Sequence, residues 1–151
     1  MPSGSIRVLV KKVHPEARVP RFMHVGEYGD LAADLYAVED TKIEPHKMNV
    51  ARTGICLGLP AGYGALVHDR SGLAAKGIAT FGGVIDPGYR GEIKIILTSV
   101  GKETVEIKPG DRICQLRFVR LLQAEFVECV ELDETLRGAK GFGSTGVSVG
   151  G

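Results

Sequence analysis

Glu92-Ile93-Lys94-Ile95-Ile96-Leu97-Thr98-Ser99 is the stretch that decides the fold class. Its first four residues alternate polar and apolar, the two-residue period of a strand with one face in water, before the apolar pair Ile96-Leu97 follows. Such a run reads as a strand emerging from solvent into a buried interface. Comparable β-favouring runs occupy Ile6 to Val13, Met48 to Leu59, Gly64 to His68, Arg112 to Arg120 and Ala124 to Leu132. Twenty-one glycines and seven prolines punctuate them, so the pattern predicts an all-β sandwich or barrel. One stretch, Ser71 to Lys76, has helical character, enough for one turn or two.

A chain of 151 residues suits one domain with a real apolar core. We expect residues 1–132 to form the folded body. Residues 133–151, rich in glycine through Arg137-Gly138-Ala139-Lys140-Gly141-Phe142-Gly143-Ser144-Thr145-Gly146, are expected to be a mobile arm until something orders them. Nineteen Lys and Arg against 18 Asp and Glu give a formal net charge of +1, which excludes a bulk electrostatic case for nucleic acid or an anionic membrane. Any anion must be held by a local site. The chain shows no signal-peptide pattern and no run near the roughly 18 apolar residues of a membrane span, so a soluble, cytoplasmic protein is expected. Cys56, Cys114 and Cys129 are isolated and odd in number, and read as small buried hydrophobes in a reducing compartment.

Several short segments carry chemistry. Gly83-Val84-Ile85-Asp86-Pro87-Gly88-Tyr89-Arg90-Gly91 delivers one carboxylate from an apolar strand end into a Pro-Gly turn, with an aromatic three residues on. That is either a turn-forming Asp or a general base on a rigid hairpin. Asp69-Arg70-Ser71-Gly72 sets a guanidinium, a hydroxyl and free N–H groups where the short helix begins. It suits an anion, or else Ser71 caps the helix and Arg70 pairs with Asp69. Gly141-Phe142-Gly143-Ser144-Thr145-Gly146 matches the dinucleotide-fold pattern, but with five residues after it there is no room for the helix that pattern needs. Its small residues still form a backbone nest suited to phosphate, beside the charge of Arg137, and Phe142 offers a stacking face for a base. His14, His24, His46 and His68 lack metal-ligand spacing, and no C-x-x-C pair, P-loop or nucleophile elbow is present. Phosphate chemistry here would use carboxylate and magnesium.

Five blocks, in order, resemble the trimeric dUTPase family: Ala32-Ala33-Asp34-Leu35-Tyr36-Ala37, Arg70-Ser71-Gly72-Leu73-Ala74, Gly83 to Gly91, Gly110-Asp111-Arg112-Ile113-Cys114-Gln115-Leu116, and Arg137 to Gly146. The resemblance implies a distorted jelly-roll barrel with one short helix. It also implies a homotrimer with active sites at subunit interfaces and a flexible C-terminal arm exchanged between subunits. The implied reaction is Mg²⁺-dependent hydrolysis of dUTP to dUMP and pyrophosphate. Asp86 would activate the water that attacks the α-phosphorus, and Asp34 would accept from waters on a magnesium ion held mainly by the triphosphate. Arg70, Ser71, Gly72 and Gln115 would line the phosphates. Arg137, Gly143, Ser144 and Thr145 would reach them from the arm. Backbone groups from Thr80 to Gly83 would read the uracil edge, Tyr89 would exclude a 2′-hydroxyl, and Phe142 would stack on the base.

The chain differs from the family's common pattern at Leu31-Ala32-Ala33, at Thr80 in place of an asparagine, at Pro87-Gly88 and at Lys140. Pro87-Gly88 also occurs in dCTP deaminases, which share the jelly roll and trimer and include bifunctional members. A deaminase needs a glutamate where this chain has Ile96, and Glu92 lies several residues away. A third reading is a regulatory trimer that binds nucleotide without turnover, for which a water-activating carboxylate would have no use.

Overall fold

A computed structural model describes residues 4–142. The described elements run β1 (Leu9–Lys12), β2 (Ala33–Tyr36), β3 (Thr41–Ile43), β4 (Asn49–Gly58), β5 (Tyr63–His68), α1 (Ser71–Ala74), β6 (Ile78–Phe81), β7 (Val84–Ile85), β8 (Glu92–Ser99), β9 (Val105–Ile107) and β10 (Arg112–Arg120). Two four-stranded antiparallel sheets, ordered β1-β4-β8-β6 and β2-β10-β5-β7, face each other, and β3 pairs with β9. From β4 to β8 each successive strand crosses to the opposite sheet. This back-and-forth path makes the distorted jelly-roll barrel expected from the sequence.

The core lies between the sheets. Ile55 and Leu57 of β4 and Ile95 and Leu97 of β8 are buried from one side, with Leu35, Ala65, Ile85, Ile113 and Leu116 from the other. Each fully buried Leu or Ile contributes roughly 1.5–3 kcal/mol. β8 alternates without a break: Ile93, Ile95, Leu97 and Ser99 point inward. Ile96 therefore points outward, 38% exposed. It lies opposite Val50 of β4 and Phe81 of β6, so three exposed apolar side chains form a cross-strand row on the outer face of the first sheet.

Two bulges interrupt the long ladders. In β4 the register jumps between Arg52 and Cys56. Gly54, at φ +67°, takes the left-handed conformation there, against His14 and Ala17. In β10 the register shifts between Arg112 and Cys114, which leaves Ile113 as the extra residue.

Three sequence expectations are corrected. Ala124 to Leu132 forms no strand: every residue from 121 to 140 is exposed, and the last strand ends at Arg120. The β-propensity is there, but the segment pairs with none of the edge strands β1, β6, β2 and β7. Cys129 lies in that segment and is exposed, and Cys56 is half-buried, so of the three cysteines Cys114 alone is a core residue. The helix stops at Ala74, and Gly77 at φ +82° turns the chain into β6. No helix among the described residues is long and apolar enough to cross a membrane.

Candidate active site

The candidate residues separate into two clusters within one protomer. The first is built on the outer face of the second sheet, where Asp34, Gln115 and His68 lie side by side across β2, β10 and β5. The β10 bulge is what assembles it. Arg112 and Gln115 are three apart and would face opposite sides of a regular strand, but the extra Ile113 brings both side chains to one carboxylate. Arg112 Nη1 lies 3.4 Å from Asp34 Oδ2, and Gln115 Nε2 lies 3.5 Å from Oδ1. Arg70 Nε comes to 3.5 Å of the same Oδ1 from the start of α1. The Asp34 side chain is only 6% exposed, while the two guanidiniums remain partly open to solvent. Asp34 thus acts as the hub that gathers two cations and an amide. Beneath it, burial pushes the Cys114 thiol well up, with the carboxylates of Asp69 and Asp34 adding to the effect, so this thiol stays neutral and inert.

Neither bland alternative at Asp69-Arg70-Ser71 is realised. Arg70 is the helix N-cap residue and no side chain caps the helix. Asp69 does not pair with Arg70; its Oδ1 accepts from the Thr80 N–H at 2.7 Å and the Thr80 hydroxyl at 2.6 Å. Ser71 is exposed and Gly72 has open space around it.

The second cluster lies at the end of β7. A cleft of about 320 Å³ is lined by Val67, Gly83, Asp86, Tyr89, Glu92 and Lys94, among others. Asp86 leaves the strand into a turn closed by the Tyr89 N–H on the Asp86 carbonyl at 3.1 Å. Among the described residues its carboxylate makes no hydrogen bond or ion pair. The Tyr89 hydroxyl donates to the Glu92 carbonyl at 3.1 Å, and the side chain lies so close over Gly91 that a Cβ there would meet the hydroxyl oxygen at 2.5 Å and the ring at 2.7 Å. Gly83, at φ +98°, packs against Val67, and its carbonyl accepts from the Val67 N–H at 2.8 Å. Glu92 is committed elsewhere: its carboxylate accepts from Arg52 Nε at 3.0 and 3.2 Å and from the Gly54 N–H at 3.0 Å, filling the β4 bulge.

The arm residues join neither cluster in the protomer. Arg137 Nε donates to the Lys140 carbonyl at 3.1 Å, and the Phe142 side chain is fully exposed. Gly143, Ser144 and Thr145 lie outside the described residues. Arg112, His68 and Asp69 are neighbours of the candidate residues that sequence reading did not assign. Arg112 stood within a quoted block, while the other two are revealed by cross-strand register and by a contact spanning eleven residues.

The sequence model of dUTPase matches residues 22–146. The chain is 43% identical over 146 residues to the deoxyuridine 5'-triphosphate nucleotidohydrolase of Helicobacter pylori (strain J99), covering 95% of this chain and 99% of that protein. It is 44% identical over 147 residues to the enzyme of the same name from Thermobifida fusca, covering 95% of this chain and 80% of that one. A mutant dUTPase of Staphylococcus bacteriophage 80alpha, solved with dUpNHpp, superposes with a TM-score of 0.80 at 26% identity, covering 95% of this chain and all of the other.

Proposed function

Because the chain belongs to the dUTPase family, we propose that it is a dUTP diphosphatase that cleaves dUTP to dUMP and pyrophosphate by in-line attack of water on the α-phosphorus. The observation that carries this reading is the division of the candidate residues into two clusters of opposite character. Asp86 and Tyr89 line a cleft with an unengaged carboxylate, whereas Arg70, Arg112 and Gln115 form a cationic and amide cluster around Asp34. A triphosphate ester needs both, a base beside the α-phosphorus and positive charge along the phosphates. Each copy of the chain completes its neighbour's site around a ring of three, so that the active species is a homotrimer with its sites at subunit boundaries. The exposed row Val50-Ile96-Phe81 and the exposed apolar residues of the segment after Arg120 support such association.

In this mechanism Asp86 orients the water and takes its proton as the oxygen attacks phosphorus, and pyrophosphate leaves. A carboxylate is a weak base, so general-base help of about 10²–10⁴-fold leaves most of the rate to positioning and charge neutralisation. Arg70, Ser71, Gly72 and Gln115 hold the phosphates. The arm residues Arg137, Phe142, Gly143, Ser144 and Thr145 close over the nucleotide in a neighbour's site. Thr80 to Gly83 read the uracil, and Tyr89 blocks a 2′-hydroxyl.

Mg²⁺ fits this site as a companion of the substrate. No group of three or more His, Cys, Asp or Glu side chains among the described residues is arranged to hold a metal ion. The contacts of Asp34 at 3.4–3.5 Å are long for charge-assisted hydrogen bonds, normally about 2.7–2.9 Å, so its oxygens can still accept from waters on an ion chelated by the triphosphate. When bound, the ion neutralises phosphate charge. Deamination of dCTP is disfavoured, because the Glu92 carboxylate is consumed by Arg52 and Gly54, and Ile96 is an apolar residue on the outer face.

The test is to incubate the purified protein with Mg²⁺ and, separately, dUTP, dCTP, UTP or dTTP, and to measure pyrophosphate and ammonia. Pyrophosphate from dUTP alone, abolished by chelator, is expected. Ammonia from dCTP would assign the chain to deamination, and the absence of both products would leave a nucleotide-binding regulatory trimer.

A further inference from the structure

We infer that Asp69 is a positioning residue that converts Thr80 into an acceptor-only group and thereby sets the choice of uracil over cytosine. The inference rests on the proposed placement of the base at the segment from Thr80 to Gly83, where the chain crosses from β6 to β7. Thr80 lies opposite Leu97 in the ladder between β6 and β8, yet its N–H reaches away from that ladder to Asp69 Oδ1 at 2.7 Å. Its hydroxyl donates to the same oxygen at 2.6 Å. Both are short bonds to a carboxylate, the strong kind. A threonine hydroxyl has one proton, and here it is spent. What Thr80 still offers a ligand is lone pairs.

That asymmetry bears on the pyrimidine edge. Uracil presents N3–H between two carbonyl oxygens, whereas cytosine presents a bare N3 beside an exocyclic amine. An acceptor held at Thr80 completes a bond with the uracil N3–H and sets lone pair against lone pair at cytosine N3. Freed from Asp69, the hydroxyl can rotate, donate to cytosine N3 and erase the difference. A site whose polar group is left mismatched rejects the wrong ligand more strongly than a pocket differing only in shape.

The experiment measures the dissociation constants of dUDP and dCDP with Mg²⁺ by calorimetry, alongside pyrophosphate release from dUTP, in the wild type and four variants. Asp69→Ala and Thr80→Val should each reduce the preference for dUDP over dCDP by roughly five- to a hundredfold. Asp69→Asn and Thr80→Ser should retain it. The two converging donors of Thr80 keep an amide oxygen turned toward them in the first, and the second keeps the hydroxyl. A ratio unchanged in Asp69→Ala, with both nucleotides weakened equally, would overturn the inference and leave Asp69 as a loop brace. So would a wild type that binds the two diphosphates alike. If the ratios move as expected but dUTP yields no pyrophosphate, the inference stands and the proposed catalytic function falls.

Discussion

Replacing Asp34 with Asn separates the role of a hub from that of a structural ion pair. The change keeps shape and removes one charge between Arg70 at 3.5 Å and Arg112 at 3.4 Å. Taken at an effective dielectric of about 20, one such contact is worth roughly 5 kcal/mol before any offset. The offsets are large. The guanidinium side chains are 27% and 41% exposed, so screening brings each toward the roughly 0–1 kcal/mol of an exposed pair. Asp34 itself is nearly buried, and its desolvation cancels more, a cost the neutral Asn no longer carries. We therefore expect stability to change by about 1 kcal/mol, a Tm shift of about 2–4 °C for a chain of this size. Activity should respond far more. Without the carboxylate, Arg70 and Gln115 lose the point that aligns them, and kcat/KM for dUTP should fall about ten- to a hundredfold, as misplacement by about 1 Å does elsewhere. Thermal unfolding at matched protein concentration and pyrophosphate release at saturating Mg²⁺ measure the two quantities. Wild-type kcat/KM in Asp34→Asn, or a Tm lowered by more than about 10 °C, would refute the reasoning. Recovery of kcat/KM at elevated Mg²⁺ would assign Asp34 chiefly to the metal's waters.

Asp86→Asn should retain nucleotide affinity by calorimetry while turnover falls about 10²–10⁴-fold, and unchanged turnover would remove Asp86 as the base. Tyr89→Ala should narrow the preference for dUTP over UTP in parallel steady-state assays; an unaltered ratio would place sugar selection elsewhere. Truncation before Arg137 should leave a folded trimer by circular dichroism and sedimentation, since the last strand ends at Arg120, but with little activity. A fully active truncate would show that the arm does not close the site. Gly83→Ala should cost about 1–3 kcal/mol in thermal unfolding, because its φ is +98° and a Cβ would lie 3.0 Å from Val67 Cβ. A wild-type Tm would mean the crossing from β6 to β7 relaxes without loss.

The long strands were legible because their sequences obey a period. β8 was read to its boundaries, and β4 and β5 to within a residue of each of theirs. β2 was not, since Ala33-Asp34-Leu35 is buried throughout and displays no alternation, while β7, two residues long, was read as no more than an apolar strand end before Asp86. Ala124 to Leu132 misled in the opposite sense: its residues favour a strand, but propensity does not supply a partner edge. At the site, the blocks pointed to Asp34, Arg70, Asp86 and Gln115, and the resemblance put Arg70 beside Gln115, but not the meeting of both on the Asp34 carboxylate. The adjacency of Asp69 and Arg70 suggested an ion pair, whereas the fold gives Asp69 to Thr80 and Arg70 to Asp34. Such pairings depend on which strands lie next to one another, and no local pattern encodes that.

The extra residue of β10 makes the site a matter of parity. Inserting one residue between Arg112 and Gln115 beside the existing bulge would leave every functional side chain in the sequence, yet set the pair an odd number of ladder steps apart, and one of them would then project into the apolar interior. In a loop a change of length lengthens or shortens a connection. Here it reverses a direction. The segment from Arg112 to Gln115 therefore behaves as a reading frame, in which the count of residues carries as much information as their identities.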